Sequence, residues 1–202
     1  MPVITAGNTN YQSFLQRFYS SNRFASRAAQ RTTLSSAELL EADSNALKKI
    51  SKNLQQLSYN KDNGEEIYQN IKALTETYNN LLESSGKIDD STLERNMKKL
   101  KNFIKDNQET FEDIGLKVSS SGKLTLDKET LLKCTPKKIG KVFSESNTIS
   151  SSLITYTTKL GRLAKPLIQD AARLRNQKEQ EALLDLPVTT STMDSTKIDY
   201  MA

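Results

Sequence analysis

Apolar residues recur at the three- and four-residue spacing of an α-helix along most of this 202-residue chain. Tyr11, Phe14, Leu15 and Phe18 keep that spacing in a first segment that reaches about Arg31. Ser35, three residues before Glu38, makes a capping-box pattern and predicts a helix start. The helix that follows, about 36–58, repeats Leu40, Leu47 and Leu54 every seventh residue, with Ile50 and Leu57 at the second seam position. Asp43 interrupts that second series. A helix over about 65–84 shows Ile67, Ile71, Leu74, Tyr78 and Leu81 on one face. Another, about 91–112, can be capped by Asp90 or Ser91 and carries Leu93, Met97, Leu100, Ile104 and Phe111. The last long helix, about 148–184, alternates Leu153, Tyr156, Leu160, Leu163, Leu167 and Leu174 in threes and fours, broken at Asp170. Pro166 lies within that pattern and predicts a kink or break near Lys165.

One stretch changes period. Leu116 and Val118 alternate with Lys117, and Leu124 and Leu126 alternate with Lys123 and Thr125, on either side of the turn-forming run Ser119–Gly122. This predicts a β-hairpin near 114–127. Asp127 then caps a short helix through Thr130 to Cys134, and Pro136 opens another. The expected fold is mainly α: an elongated helical bundle or coiled coil formed by the terminal helices, with a small head that contains the hairpin. Three regions follow: a polar, Arg-bearing and partly helical segment at 1–34, a helical domain at 35–186, and a flexible tail at 187–202. The candidate helix-pairing seam is Leu40, Leu47 and Leu54 with Leu153, Tyr156, Leu160, Leu163 and Leu167.

Composition narrows the chemistry. Only 36% of residues are hydrophobic, and seven Gly with four Pro are too few for the many turns of an all-β fold. The net charge of +5 is modest, and most of it lies near the start. Residues 1–37 hold Arg17, Arg23, Arg27 and Arg31 but no Asp or Glu. Arg23, Arg27 and Arg31 fall on one face if the segment is helical. That face reads as a solvated surface, as a contact for an acidic partner or membrane surface, or as part of a targeting segment. Without histidine, the usual general base and the Ser-His and Cys-His pairs are missing. One cysteine allows no internal disulfide and no common zinc site. Cys134 reads as a small packed hydrophobe, although Lys133 or Lys137 could activate it. Asp89, Asp90, Glu112 and Asp113 read as surface charge and caps rather than acid/base or calcium groups, because no calcium-loop spacing is present. Phe14, Phe18, Tyr19 and Phe24 read as a docking face rather than a base-stacking platform. No catalytic residue, cofactor, metal or small-molecule substrate is expected. No run of about 18 apolar residues offers a transmembrane helix.

The order of several short motifs resembles one family. A helix with the pair Tyr78-Asn79 precedes Ile114-Gly115-Leu116, then Gly122, Leu124 and Leu126, then Asp127 and Leu131, and finally Val142-Phe143. This sequence of motifs over about 67–145 resembles bacterial flagellar filament-capping proteins, the hook-associated protein 2 family. The chain looks like a reduced or diverged relative, because it has no stretch matching that family's β-rich domains. The resemblance implies a structural protein that pairs helices, oligomerises with itself or with other appendage subunits, and leaves the cell by signal-less flagellar export. It also implies that Leu116, Val118, Leu124 and Leu126 pack one hairpin face onto helices. The polar residues 5–13 would suit such export. Two other expectations stay open: a cytoplasmic coiled-coil adaptor or export chaperone, and a basic nucleic-acid-associated protein using Arg23, Arg27 and Arg31.

Overall fold

A computed structural model of the chain describes residues 11–184. It contains α1 (Tyr11–Gln16), a 3₁₀ turn (Arg23–Ser26), α2 (Ala28–Arg31), α3 (Ser36–Gln56), α4 (Gly64–Ser85), α5 (Ser91–Asp106) and α6 (Gln108–Glu112). A hairpin of β1 (Leu116–Val118) and β2 (Leu124–Leu126) follows, then α7 (Lys128–Lys133), α8 (Pro136–Phe143) and α9 (Thr148–Leu184). The fold is mainly α with one small antiparallel sheet, as the periodicity predicts. The expectations for residues 1–10 and for the tail at 187–202 lie outside the described residues.

Local chemistry sets most boundaries. Ser35 Oγ accepts from the Glu38 N–H at 3.2 Å while the Glu38 carboxylate accepts from the Ser35 N–H at 2.8 Å, which completes the capping box of α3. Asp90 caps α5 through the Leu93 N–H at 2.6 Å. Thr135 caps α8, whose first residue is Pro136. The predicted helix over 91–112 divides at Asn107, where the backbone leaves the helical region and the side-chain amide donates back to the Phe103 carbonyl at 2.8 Å. Pro166 does not break α9, which runs helically from Thr148 to Leu184. The Arg162 carbonyl that Pro166 deprives of a donor sits on an exposed turn, where water can serve it.

Of the described residues, 11–168 form one compact unit. α3 packs along α4 more extensively than along any other element. The heptad leucines Leu40, Leu47 and Leu54 are fully buried, as are Ile67, Ile71 and Leu81 on α4. α9 also reaches α3, where a Cβ on Gly161 would stand 3.6 Å from Ser44 Cβ and 3.5 Å from Asn45 Oδ1. Leu47, Leu74, Tyr78, Ile104, Phe111, Leu124 and Leu153 meet around one gap too small for a water molecule. α3, α4, α5, α6, β2 and α9 therefore share a single core at that point. The described residues from Gln169 onward belong to a second unit. Within it the end of α9 is described, and every side chain from 169 to 181 except Ala171 is exposed.

Candidate functional site

Tyr78 and Asn79 are neighbours on α4, and both reach the hairpin more than forty residues later. Tyr78 is buried at 1% exposure and its hydroxyl donates to the Gly122 carbonyl at 3.0 Å. Burial raises its pKa above the ordinary phenol value, so it stays a neutral donor. Asn79 makes a reciprocal pair with the backbone of Leu124. Its Nδ2 donates to the Leu124 carbonyl at 2.8 Å, and its Oδ1 accepts from the Leu124 N–H at 2.9 Å. A side-chain amide thus supplies what a third strand would supply, and satisfies that part of the edge of β2.

The hairpin has the face that the alternation predicts. Val118 pairs with Leu124 and Leu116 with Leu126. Leu116 and Leu124 are buried, Val118 and Leu126 are half-buried against the core, and Lys117 and Thr125 are exposed. Two glycines are required here. Gly122 closes the turn at φ +81°, and its N–H donates to the Ser119 carbonyl at 2.9 Å. Gly115 has φ +83°, and its carbonyl accepts from the Asp127 N–H at 2.7 Å. A Cβ at Gly115 would lie 2.8 Å from the Asp127 carbonyl oxygen and 2.9 Å from the Leu131 nitrogen. Asp127 then starts α7 by accepting from the Thr130 N–H at 3.1 Å and pairs with Lys117 at 3.0 Å. The Thr130 N–H first, and Lys117 after it, hold the Asp127 carboxyl down at about 2. Phe111 and Phe143 complete the junction, both fully buried with ring centroids 6.3 Å apart.

A second polar cluster ties the N-terminal segment to α3 and α4. Asp43 is fully buried and accepts four hydrogen bonds: two from the Arg31 guanidinium at 2.9 Å, one from the Tyr19 hydroxyl at 2.9 Å and one from the Ser84 hydroxyl at 2.9 Å. Burial pushes the Asp43 pKa up, and the donors from Arg31, Ser84 and Tyr19 oppose that without cancelling it. The interrupted seam position is therefore an internal anchor. An acid at an apolar register position, with arginines in an acid-free segment upstream, was the sequence signal for it.

The proposed Arg face is corrected. Arg23 belongs to the 3₁₀ turn, Arg27 is the extended residue between that turn and α2, and Arg31 ends α2. With the backbone extended at Arg27, the four-residue repeat no longer maps onto one side. Arg31 turns inward to Asp43 and also donates to the Ala25 carbonyl at 2.8 Å, whereas Arg23 and Arg27 stay exposed. The aromatic group divides likewise: Phe14, Phe18 and Tyr19 are buried, but Phe24 is 55% exposed. In the seam, Leu40, Leu47, Leu54, Leu153 and Leu160 are buried, while Tyr156, Leu163 and Leu167 are half-buried. Cys134 packs at the edge of the core, where burial raises its pKa and its Sγ lies 3.5 Å from the Asp113 carbonyl.

The named side chains of both clusters are hydrogen-bonded, and these bonds hold distant elements in register. Among the described residues no group of three His, Cys, Asp or Glu is placed to hold a metal ion, and no helix is long and apolar enough to cross a membrane. Compared with protein-family models, curated proteins and solved structures, the chain matches none of them.

Proposed function

We propose that this chain is a structural assembly protein of the type represented by flagellar cap and hook-associated proteins, working by helix pairing and oligomerisation after signal-less export. The carrying observation is the α4–hairpin junction. Of the residues that carry the resemblance, Tyr78, Asn79, Gly115, Leu116, Gly122, Leu124, Leu126, Asp127 and Leu131 are linked by hydrogen bonds or strand pairing in the fold, while Ile114, Val142 and Phe143 are buried in the core. Motifs that were only an ordered series in sequence thus have a common physical task. The role is structural: the block positions a hairpin against a helical body, and beyond the break at Asp170 the leucine spacing recurs at Leu174, which is 58% exposed. Covering such side chains in an assembly would stabilise it by about 25 cal/mol per square ångström removed from water.

Immunogold localisation of the untagged protein in its native cells tests this reading. Label on surface filaments, at tips or hook junctions, is the expected result. Label confined to the cytosol would overturn it in favour of the coiled-coil adaptor or export chaperone. The nucleic-acid reading has less support, since Arg31 is committed to Asp43 and only Arg23 and Arg27 of its three arginines face outward.

A further inference from the structure

Lys101 and Lys105 stand one turn apart on the exposed side of α5, opposite the serine-rich turn of the hairpin. Together with Asn102, Gln108 and residues 118–122 they line an open groove of about 530 Å³. The Lys101 stem lies along the turn, since its Cγ and Cδ would be 3.8 Å from a Cβ built on Gly122. Lys72, Lys87, Lys117 and Lys138 each have a carboxylate partner; Lys101 and Lys105, like most described lysines, have none, and Lys101 also borders a neighbouring groove lined by Asp89, Asp90 and Glu94. The Ser119 and Ser121 hydroxyls share one hydrogen bond at 2.9 Å, and Ser119 Oγ also accepts from the Lys123 N–H at 3.0 Å. Two hydroxyls joined by one proton leave the other proton to donate elsewhere. At the far end Gln108 donates to Glu112 at 2.6 Å, and Glu112 is outside the groove lining.

The groove presents two lysine ammoniums and serine hydroxyls, and none of its own lining residues is acidic. The Arg fork matches carboxylates and phosphates alike, whereas lysines act as point charges; two of them with hydroxyl donors suit an anion that carries about two charges near pH 7, as a phosphate monoester does. We propose that the groove between α5 and the Ser119–Gly122 turn binds the phosphate of a small phosphate monoester. This site is independent of the assembly role, so either can fail without the other.

The test is an amide NMR titration of the full chain with inorganic phosphate and glycerol 3-phosphate, against acetate at matched ionic strength. The site predicts saturable shifts confined to residues 101–108 and 118–123, with a Kd of about 1 mM. The exposed double variant Lys101→Gln/Lys105→Gln should keep its thermal midpoint and bind about tenfold more weakly or worse. Lys137→Gln/Lys141→Gln on α8 should bind as the parent does. Equal response to acetate, shifts scattered over other lysines, or no saturation by about 10 mM phosphate would each overturn the proposal.

Discussion

Removing Asn79 or Asp43 would strand the groups that each one holds. Replacing Asn79 with leucine of similar size leaves the Leu124 N–H and carbonyl unserved at the covered edge of β2. Stranded buried groups cost about 1–3 kcal/mol each, so Asn79→Leu should lower stability by about 2–4 kcal/mol. Urea unfolding should show a lower midpoint with an unchanged slope. Asp43→Ala leaves Arg31 charged and nearly enclosed, with an expected cost of about 3–5 kcal/mol. The charge reversals Arg23→Glu and Arg27→Glu should stay within about 0.5 kcal/mol, because neither side chain is buried. If all three arginine sites proved equally sensitive to reversal, the inward role of Arg31 would be wrong.

At the scale of elements, the β1–β2–α7 connection depends on one glycine and one cap. Gly115→Ala forces a Cβ against two backbone atoms at a positive φ, and strain plus overpacking should cost about 2–4 kcal/mol. Gly161→Ala makes only ordinary contacts with α3 and should be neutral or slightly stabilising, as a helix-interior glycine replaced by alanine usually is. Thermal melts of the two variants side by side decide this. The Asp127 cap gives the junction a pH dependence. Its folded pKa of about 2 lies below the roughly 3.9 of an unfolded aspartate. Its contribution is therefore complete above the unfolded value and is lost as pH falls through the folded one. Melts between pH 5 and about 2 should fall less steeply for Asp127→Asn than for the parent chain. Equal slopes would remove the cap from the explanation of α7.

For the whole molecule, the assembly reading makes Leu174 the informative position. It continues the seven-residue spacing of Leu153, Leu160 and Leu167 but is exposed in the single chain. Leu174→Gln should leave the melting temperature of the monomer unchanged, since surface substitutions usually act within about 0.5 kcal/mol. In light scattering the same change should shift the mass distribution toward monomer. A distribution identical to that of the parent would mean that the seam beyond Leu167 does not mediate association.

The chain pattern by itself determined the mainly helical class, the long helices near 36–58, 65–84 and 148–184, the hairpin pairing and the caps at Ser35 and Asp127, and it narrowed the cap of α5 to Asp90 or Ser91. These depend on spacing of two to four residues, or on one side chain meeting a backbone group three positions away, so adjacent sequence contains all the information they need. Only the tertiary structure decided what joins them. Asn79 meets Leu124 across 45 residues, and Asp43 meets Ser84 across 41 and Arg31 across 12. The same packing sent Arg31 inward, left Phe24 outside, and carried α9 helically through Pro166. Such outcomes follow from which surfaces become covered when distant segments meet, and a buried polar group takes whichever partner that meeting supplies.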